Sequence, residues 1–286
     1  MKRIFTLVAS ALITTQLACF DLALNAKALN DVSSNDYESI DAECVGDPGY
    51  GISNIPLEQQ LEDLLSNPNL TAAQREAATK KVEQAIAFRD AAAVDSANNA
   101  VLRQSYPTVT LSVPAYTQET NYYCGPATTR QTLGYLGMIV PGSYSPPSQS
   151  TIAAAIHTTT NGTEWYNITA YINTFSFMGI PNNYIEYVPS SKSDMETVIY
   201  SALTQTNPTP PILQVKTNGY SSVMGYSTLG HYMNVSGMKT ENGVNYYQIT
   251  DPYRGRLSPA QSAKYDMTTD DVWTITQNHW AKHFLY

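Results

Sequence analysis

With 286 residues the chain can hold one medium domain or two small ones, and its 43% hydrophobic content excludes a disordered protein. Only 14% of the residues are charged, and Tyr, Asn, Ser and Thr supply the polar surface instead, a bias that suits an extracellular domain. The formal net charge of −8 excludes nucleic acid and anionic membrane as natural partners, since both repel it.

Lys2 and Arg3 precede the uncharged run "IFTLVASALITTQLACF", and "NAKALN" offers an Ala-x-Ala cleavage site after Ala28. This is the pattern of an export signal over residues 1–28. The Thr and Gln residues at the far end of the run make it a poor membrane span. A lipoprotein site at Cys19 is the weaker reading, because Gln16 stands where an aliphatic residue belongs. Cleavage removes three basic residues (Lys2, Arg3, Lys27) and one acidic residue (Asp21), leaving 13 basic, 23 acidic and a net of −10. The product is expected to be secreted, with cell-surface association open and no stable membrane insertion after cleavage.

Residues 29–54 are polar, rich in Gly, Asp and Ser, and read as an extended lead-in. "PLEQQLEDLLSN" places Leu57, Leu61, Leu64 and Leu65 on one helical face. After the breaker "NPN", Thr71 and Gln74 form a capping box that opens the Ala-, Glu- and Lys-rich helix "TAAQREAATKKVEQAIAFRDAAA". Residues 55–100 are thus a helical hairpin within an N-terminal region, 29–105.

From Tyr106 the character changes, and a second region runs over 106–286. "TVTLSVPAY" predicts a short strand ending at Pro114, and "GPATTRQTLGYLG" a helix stopped by Gly137. "VPGSYSPPSQS" is a loop. "TEWYNITAYINTFSFMG" and "SDMETVIYSALTQT" read as helices, the latter capped by Ser193. "NYIEYV" and "PILQV" read as strands. "HYMNVSGM" and "VNYYQITD", joined by "KTENG", form a β-hairpin folded about Glu241–Asn242. Helices first and antiparallel strands later is the order of an α+β domain.

Chemistry concentrates at Cys124. A thiol reacts as thiolate, and a helix N-terminus favours the anion through unpaired N–H groups and the helix dipole. Gly125 allows close approach and Pro126 suits a first helical turn. A buried cysteine that merely fills the core fits the local pattern equally well. After cleavage Cys44 is the other cysteine, 80 positions away, and a disulfide between the two would silence Cys124. An activated thiol calls for an imidazole. His231 opens an apolar strand that can hold its ring rigid, and folding the hairpin brings Asp251 or Pro252 opposite it, within reach of a hydrogen bond. His279 and His283 have metal-chelating i, i+4 spacing but no carboxylate or thiol at suitable spacing, and read as C-terminal surface residues. His157 ends an Ala-rich turn with no visible partner.

"VPAYTQETNYYCGPATTRQTLGYLG", "GHYMNVSGM" and "YYQITDPYRG" together resemble the C39-like cysteine peptidases, a papain-like group, over Val109 to Tyr286. The resemblance implies a papain-like α+β fold, with helices packed on an antiparallel sheet and here preceded by the helical hairpin. It implies Cys124 as nucleophile, His231 as base, Asp251 as its orienting partner and Gln118 as oxyanion donor. It also implies a peptide or protein substrate. No metal or organic cofactor is required. The chain has neither the transmembrane bundle nor the phosphate loop of C39 exporters. The reading is a secreted cysteine peptidase, with residues 29–105 a pro-segment over the cleft or a module packed on the catalytic domain. The rivals are a thiol amidase acting on cell-wall cross-links and a non-catalytic module whose tyrosines bind peptide or glycan.

Overall fold

The computed structural model describes residues 44–45, 55–98, 105–139, 145–175, 183–257 and 261–286. The export signal, its cleavage site and Cys19 lie outside the described residues, as do the lead-in apart from 44–45, loop residues 140–144, and the side chain of Cys44.

The helical hairpin forms as expected. Helix α1 (Leu57–Leu65) follows Pro56, and α2 (Ala72–Asn98) begins behind the capping box. The Thr71 hydroxyl accepts from Gln74 N at 3.2 Å, and the Gln74 side chain accepts from Thr71 N at 2.8 Å. Leu57, Ala78, Val82 and Ala85 are buried. Lys81 is buried whole, its Nζ 4.1 Å from the ring centroid of Tyr286, and burial pulls its pKa down to about 7.

Helix α3 (Cys124–Ile139) runs through Gly137 instead of stopping there. Gly134 and Gly137 are buried in it, and a Cβ at Gly134 would stand 2.8 Å from Pro114 Cγ. Here the small residues serve close packing, so helix propensity yields to tertiary contact. Helices α4 (Gln149–Ala155), α5 (Trp165–Thr174) and α6 (Lys192–Thr204) follow. The cap of α6 is Ser191, whose hydroxyl accepts from Asp194 N at 3.1 Å, two residues earlier than Ser193.

Eight strands make the described sheet: β1 (Cys44–Val45), β2 (Val109–Thr110), β3 (Glu186–Tyr187), β4 (Ile212–Val215), β5 (Thr228–Glu241), β6 (Val244–Thr250), β7 (Lys264–Thr268) and β8 (Phe284–Leu285). Their order is β3-β8-β4-β5-β6-β7, every neighbour antiparallel. Strand β2 adds antiparallel to β5, and β1 adds to β5 in parallel. Sequence patterning did not single out β7, β8, α4 or the helices α7 (Arg254–Leu257) and α8 (Thr269–Asn278). The strands, α4 and α7 are short, with too few residues for a period to stand out. Helix α8 is as long as α5 and buries Thr269, Val272, Ile275 and Thr276 at helical spacing, a signal that was present in the sequence.

The β5–β6 hairpin turns at Asn242–Gly243, one residue later than expected, with φ of 52° and 77°. Positive φ at both central residues is the two-residue hairpin geometry that Asn-Gly favours. Farther along, a bulge between Val235 and Gly237 shifts the register. Gly237 faces Val109 O, where a Cβ would come within 2.4 Å, so β2 can close on β5 only over a glycine.

The outer edge of the sheet is closed by the hairpin. Gln60 behaves as a one-residue strand: its amide oxygen accepts from Glu186 N at 2.8 Å and its amide nitrogen donates to Glu186 O at 3.2 Å. This satisfies an edge that would otherwise be a pairing template. Gln60→Ala leaves both buried backbone groups of Glu186 short of a partner. It is expected to lower unfolding stability by roughly 2–4 kcal/mol, read from the urea midpoint at unchanged slope.

Candidate active site

The thiol is set by α3 and the imidazole by β5, so their separation depends on how these two elements dock. The docking is polar and buried. The Thr128 hydroxyl donates to Tyr232 O at 2.9 Å, and the Thr132 hydroxyl to Asn234 Oδ1 at 3.0 Å. Asn234 Nδ2 returns bonds to Thr128 O at 3.3 Å and Gln131 Oε1 at 3.0 Å. Gly125 lies against Thr163, where a Cβ would meet Oγ1 at 2.6 Å. The helix start can therefore seat only with glycine beside the cysteine.

Cys124 is the first residue of α3, is fully buried, and is a thiol rather than half of a disulfide. His231 and Asp251 are likewise fully buried, with His231 Nε2 3.0 Å from Asp251 Oδ1. That leaves Nδ1 as the ring nitrogen for the sulfur, and Cys124 does hydrogen-bond His231. Three residues distant in sequence are thus joined in one hydrogen-bonded line. His231 pairs across β4 with Val215, and β6 ends at Thr250, so Asp251 reaches the ring from just beyond the strand end.

Electrostatics follow from burial and charge. Burial pulls the His231 pKa down, and it is the largest single influence. The Asp251 charge and hydrogen bond, with those of Cys124, together outweigh it and push the imidazole up to about 9. For Asp251 burial again opposes the charged form, but His231, the Tyr253 N–H and the Tyr226 hydroxyl hold the carboxyl below its ordinary 3.8.

Sequence reasoning missed the residues that hold Asp251. The Tyr226 hydroxyl donates to Oδ2 at 2.8 Å and the Tyr265 hydroxyl donates to the same oxygen at 2.9 Å. Oδ1 accepts from Tyr253 N at 2.8 Å. Tyr226 also packs edge-on against His231. The signal was present only as an excess of tyrosine, and nothing in the spacing distinguishes these two from core residues.

Gln118 is buried in the loop before α3, its N–H donating to Pro252 O at 2.8 Å and its amide to Thr120 O at 2.7 Å. Gln149 pins the same loop through Thr117 O at 2.7 Å and Glu119 N at 3.0 Å. Gln118 is thereby tied to the residue after Asp251. His279 and His283 are not surface residues: their exposures are 1% and 0%, and His283 pairs with Glu186. Trp165, remote in sequence, packs against His283. His157 is exposed, with φ of 53° at the end of α4.

Residues 110–281 match the model of the Peptidase C39 like family. The chain belongs to that family. The helical hairpin lies outside the matched span. No curated protein matches the chain by sequence. Among solved structures, a recombinant stem bromelain precursor shares 12% identity at a TM-score of 0.43, covering 81% of this chain and 98% of its own. Procathepsin L 3 from the larval midgut of Tenebrio molitor shares 10% at 0.40, covering 81% and 99%. The peptidase domain of Streptococcus ComA, a bifunctional ABC transporter of a quorum-sensing pathway, shares 20% at 0.35, covering 60% and 94%. In this C39-like chain the thiol at a helix start faces an imidazole on an antiparallel sheet.

The titration of the pair can be followed directly. The stabilisation that accompanies the raised His231 pKa is complete below about pH 6.5 and is lost as pH rises through about 9. That from Asp251 is present above 3.8 and is lost as pH falls below it. By NMR the His231 ring is expected to titrate near 9 in the wild type. In Asp251→Asn, where burial remains and the charge is gone, it should fall to the ordinary 6.5 or below.

Proposed function

We propose that the protein is a secreted cysteine peptidase that hydrolyses peptide bonds through an acyl-enzyme intermediate. The observation that carries this reading is the buried Cys124–His231–Asp251 line. The Cys124 thiolate attacks the amide carbonyl, forming a carbon–sulfur bond and an oxyanion. The His231 imidazolium gives its proton to the leaving amine as the carbon–nitrogen bond breaks. Neutral His231 then takes a proton from water, whose oxygen attacks the thioester carbonyl and releases the acid and the thiolate. Asp251 keeps the ring oriented and favours its charged form. The Gln118 amide and the Cys124 N–H are the oxyanion donors, a role supported by the burial of Gln118 and its tie to Pro252. None of these steps calls for a metal or organic cofactor. Family membership supports a peptide or protein substrate.

Hydrolysis of an unfolded protein substrate should vanish in Cys124→Ala. In Gln118→Ala, kcat should drop about 10²-fold, the usual effect of losing one oxyanion donor. The alkaline limb of kcat should fall near pH 9, where the imidazolium loses its proton. Cleavage of purified cell wall in place of unfolded protein would instead identify a thiol amidase. Absence of Cys124 labelling by a thiol-directed probe at neutral pH under reducing conditions, in a chain beginning at residue 55, would favour a binding module.

We infer also that part of region 29–105 acts as a pro-segment. Support comes from β1, where Cys44 pairs with Thr228 and Val45 with Gly230, on the residues that lead into His231. The burial of Cys124 and His231 agrees with a covered site. The hairpin, by contrast, is bonded to the sheet edge through Gln60 and to α6 through Gln84 and Ser201, 3.0 Å apart. A chain beginning at residue 55 should therefore fold and alkylate at Cys124 at least tenfold faster than one beginning at residue 29. Equal rates would count against the pro-segment.

A further inference from the structure

A second line of buried polar side chains crosses the core behind the thiol. His283 lies edge-on to Trp165, ring centroids 5.4 Å apart, with no exposed surface. Its Nδ1 meets Glu186 Oε1 and its Nε2 meets Gln214 Oε1. The Gln214 amide nitrogen donates to the Tyr232 hydroxyl at 2.7 Å, which fixes the amide oxygen toward the ring. The Tyr232 hydroxyl donates onward to Thr163 O at 3.0 Å. Glu186 and Gln214 thus hold the His283 ring from both of its nitrogens.

The two ends of this line are informative. At the outer end Glu186 Oε2 accepts from Ile55 N at 3.1 Å, and Gln60 holds the backbone of the same residue. At the inner end Thr163 packs against Gly125, the neighbour of Cys124. Tyr232 is the neighbour of His231, and its carbonyl accepts from the Thr128 hydroxyl of α3. One residue thus touches both sides of the proposed catalytic pair. A buried polar pair is weak evidence for stability, since apolar residues of equal volume often serve as well. What this line supplies is direction: His283, Gln214 and Tyr232 are joined end to end by hydrogen bonds.

We infer that His283 is a positioning residue: held between Glu186 and Gln214, it fixes Tyr232 and through it the separation of Cys124 from His231. This rests on the functional reading of those two residues given above. Neither His283 nor Glu186 is placed in contact with substrate. Misplacement of reacting groups by a fraction of an ångström is costly, so loss of the line should be felt in rate more than in substrate binding.

The test uses the reduced protein and four chains: wild type, His283→Gln, Tyr232→Phe and the double variant. Iodoacetamide alkylation of Cys124 is followed across pH by mass spectrometry of the Cys124 peptide, beside kcat and KM on an unfolded protein substrate and thermal unfolding. Each single variant should alkylate about tenfold more slowly at low pH, with its acid limb moved upward, and should lose a similar factor in kcat with KM within about twofold. The double variant should lose about the same tenfold, because both changes cut one line. Variants that melt earlier yet keep the wild-type alkylation profile and kcat would show a merely structural role and overturn the inference. A double variant down about a hundredfold would overturn it as well. If His283→Gln does not fold, Tyr232→Phe, which lies between His283 and the thiol and keeps its ring, decides by the same readouts. An ordinary thiol profile in the wild type defeats the functional reading and this inference with it. An activated profile without peptide hydrolysis defeats only the choice of reaction, and the alkylation arm still decides the role of His283.

Discussion

The buried polar seam between α3 and β5 sets the geometry on which everything else depends. Thr128, Gln131 and Thr132 project from one helix onto Tyr232 and Asn234 of one strand, and each bond is made out of contact with water. In that setting an unmade bond is expensive, so the helix has one acceptable seat on the sheet. A purely apolar interface would let α3 slide by fractions of an ångström. With sulfur on one element and imidazole on the other, sliding would change the one distance that thiolate chemistry needs.

Electrostatics at the pair show the same reliance on surroundings. Buried alone, the His231 ring would be neutral, because desolvation penalises its charge. It is charged because Asp251 stands 3.0 Å away, and Asp251 can be a buried anion because two tyrosine hydroxyls and a backbone N–H donate to it. Farther off, the two oxygens of Glu186 meet Ile55 N–H and His283. The His231–Asp251 pair belongs to the central strands β5 and β6 and the His283–Glu186 pair to the edge of the sheet at β8 and β3, with Tyr232 between.

The N-terminal region separates into two physical roles. The hairpin is a sheet-edge closure, bonded through Gln60 to both backbone groups of β3 and packed by Leu57, Val82 and Ala85 into the common core. The strand Cys44–Val45 instead touches β5 just before His231. These two sets of contacts fall on separate stretches of the region, 44–45 and 57–85.

Much of this was legible from the residues. The capping box at Thr71 and Gln74 predicted the start of α2, because local hydrogen bonding decides helix starts. The pattern around Cys124, His231 and Asp251 named the three residues the fold joins, since a thiol at a helix start and an imidazole on a strand have local chemical requirements. Their hairpin was placed one residue early at Glu241–Asn242, because Asn-Gly turn geometry and a bulge at Ser236–Gly237 both alter register without changing the apolar pattern. Gly137 and the C-terminal histidines were misjudged for a related reason: their surroundings come from segments far away in the chain. Sequence alone determined which side chains could carry the chemistry, through local propensity and side-chain type. Only the tertiary structure decided what surrounds them, the tyrosines on Asp251, the partner of His283 and the neighbours of Gln118, because burial and charge are properties of the assembled core.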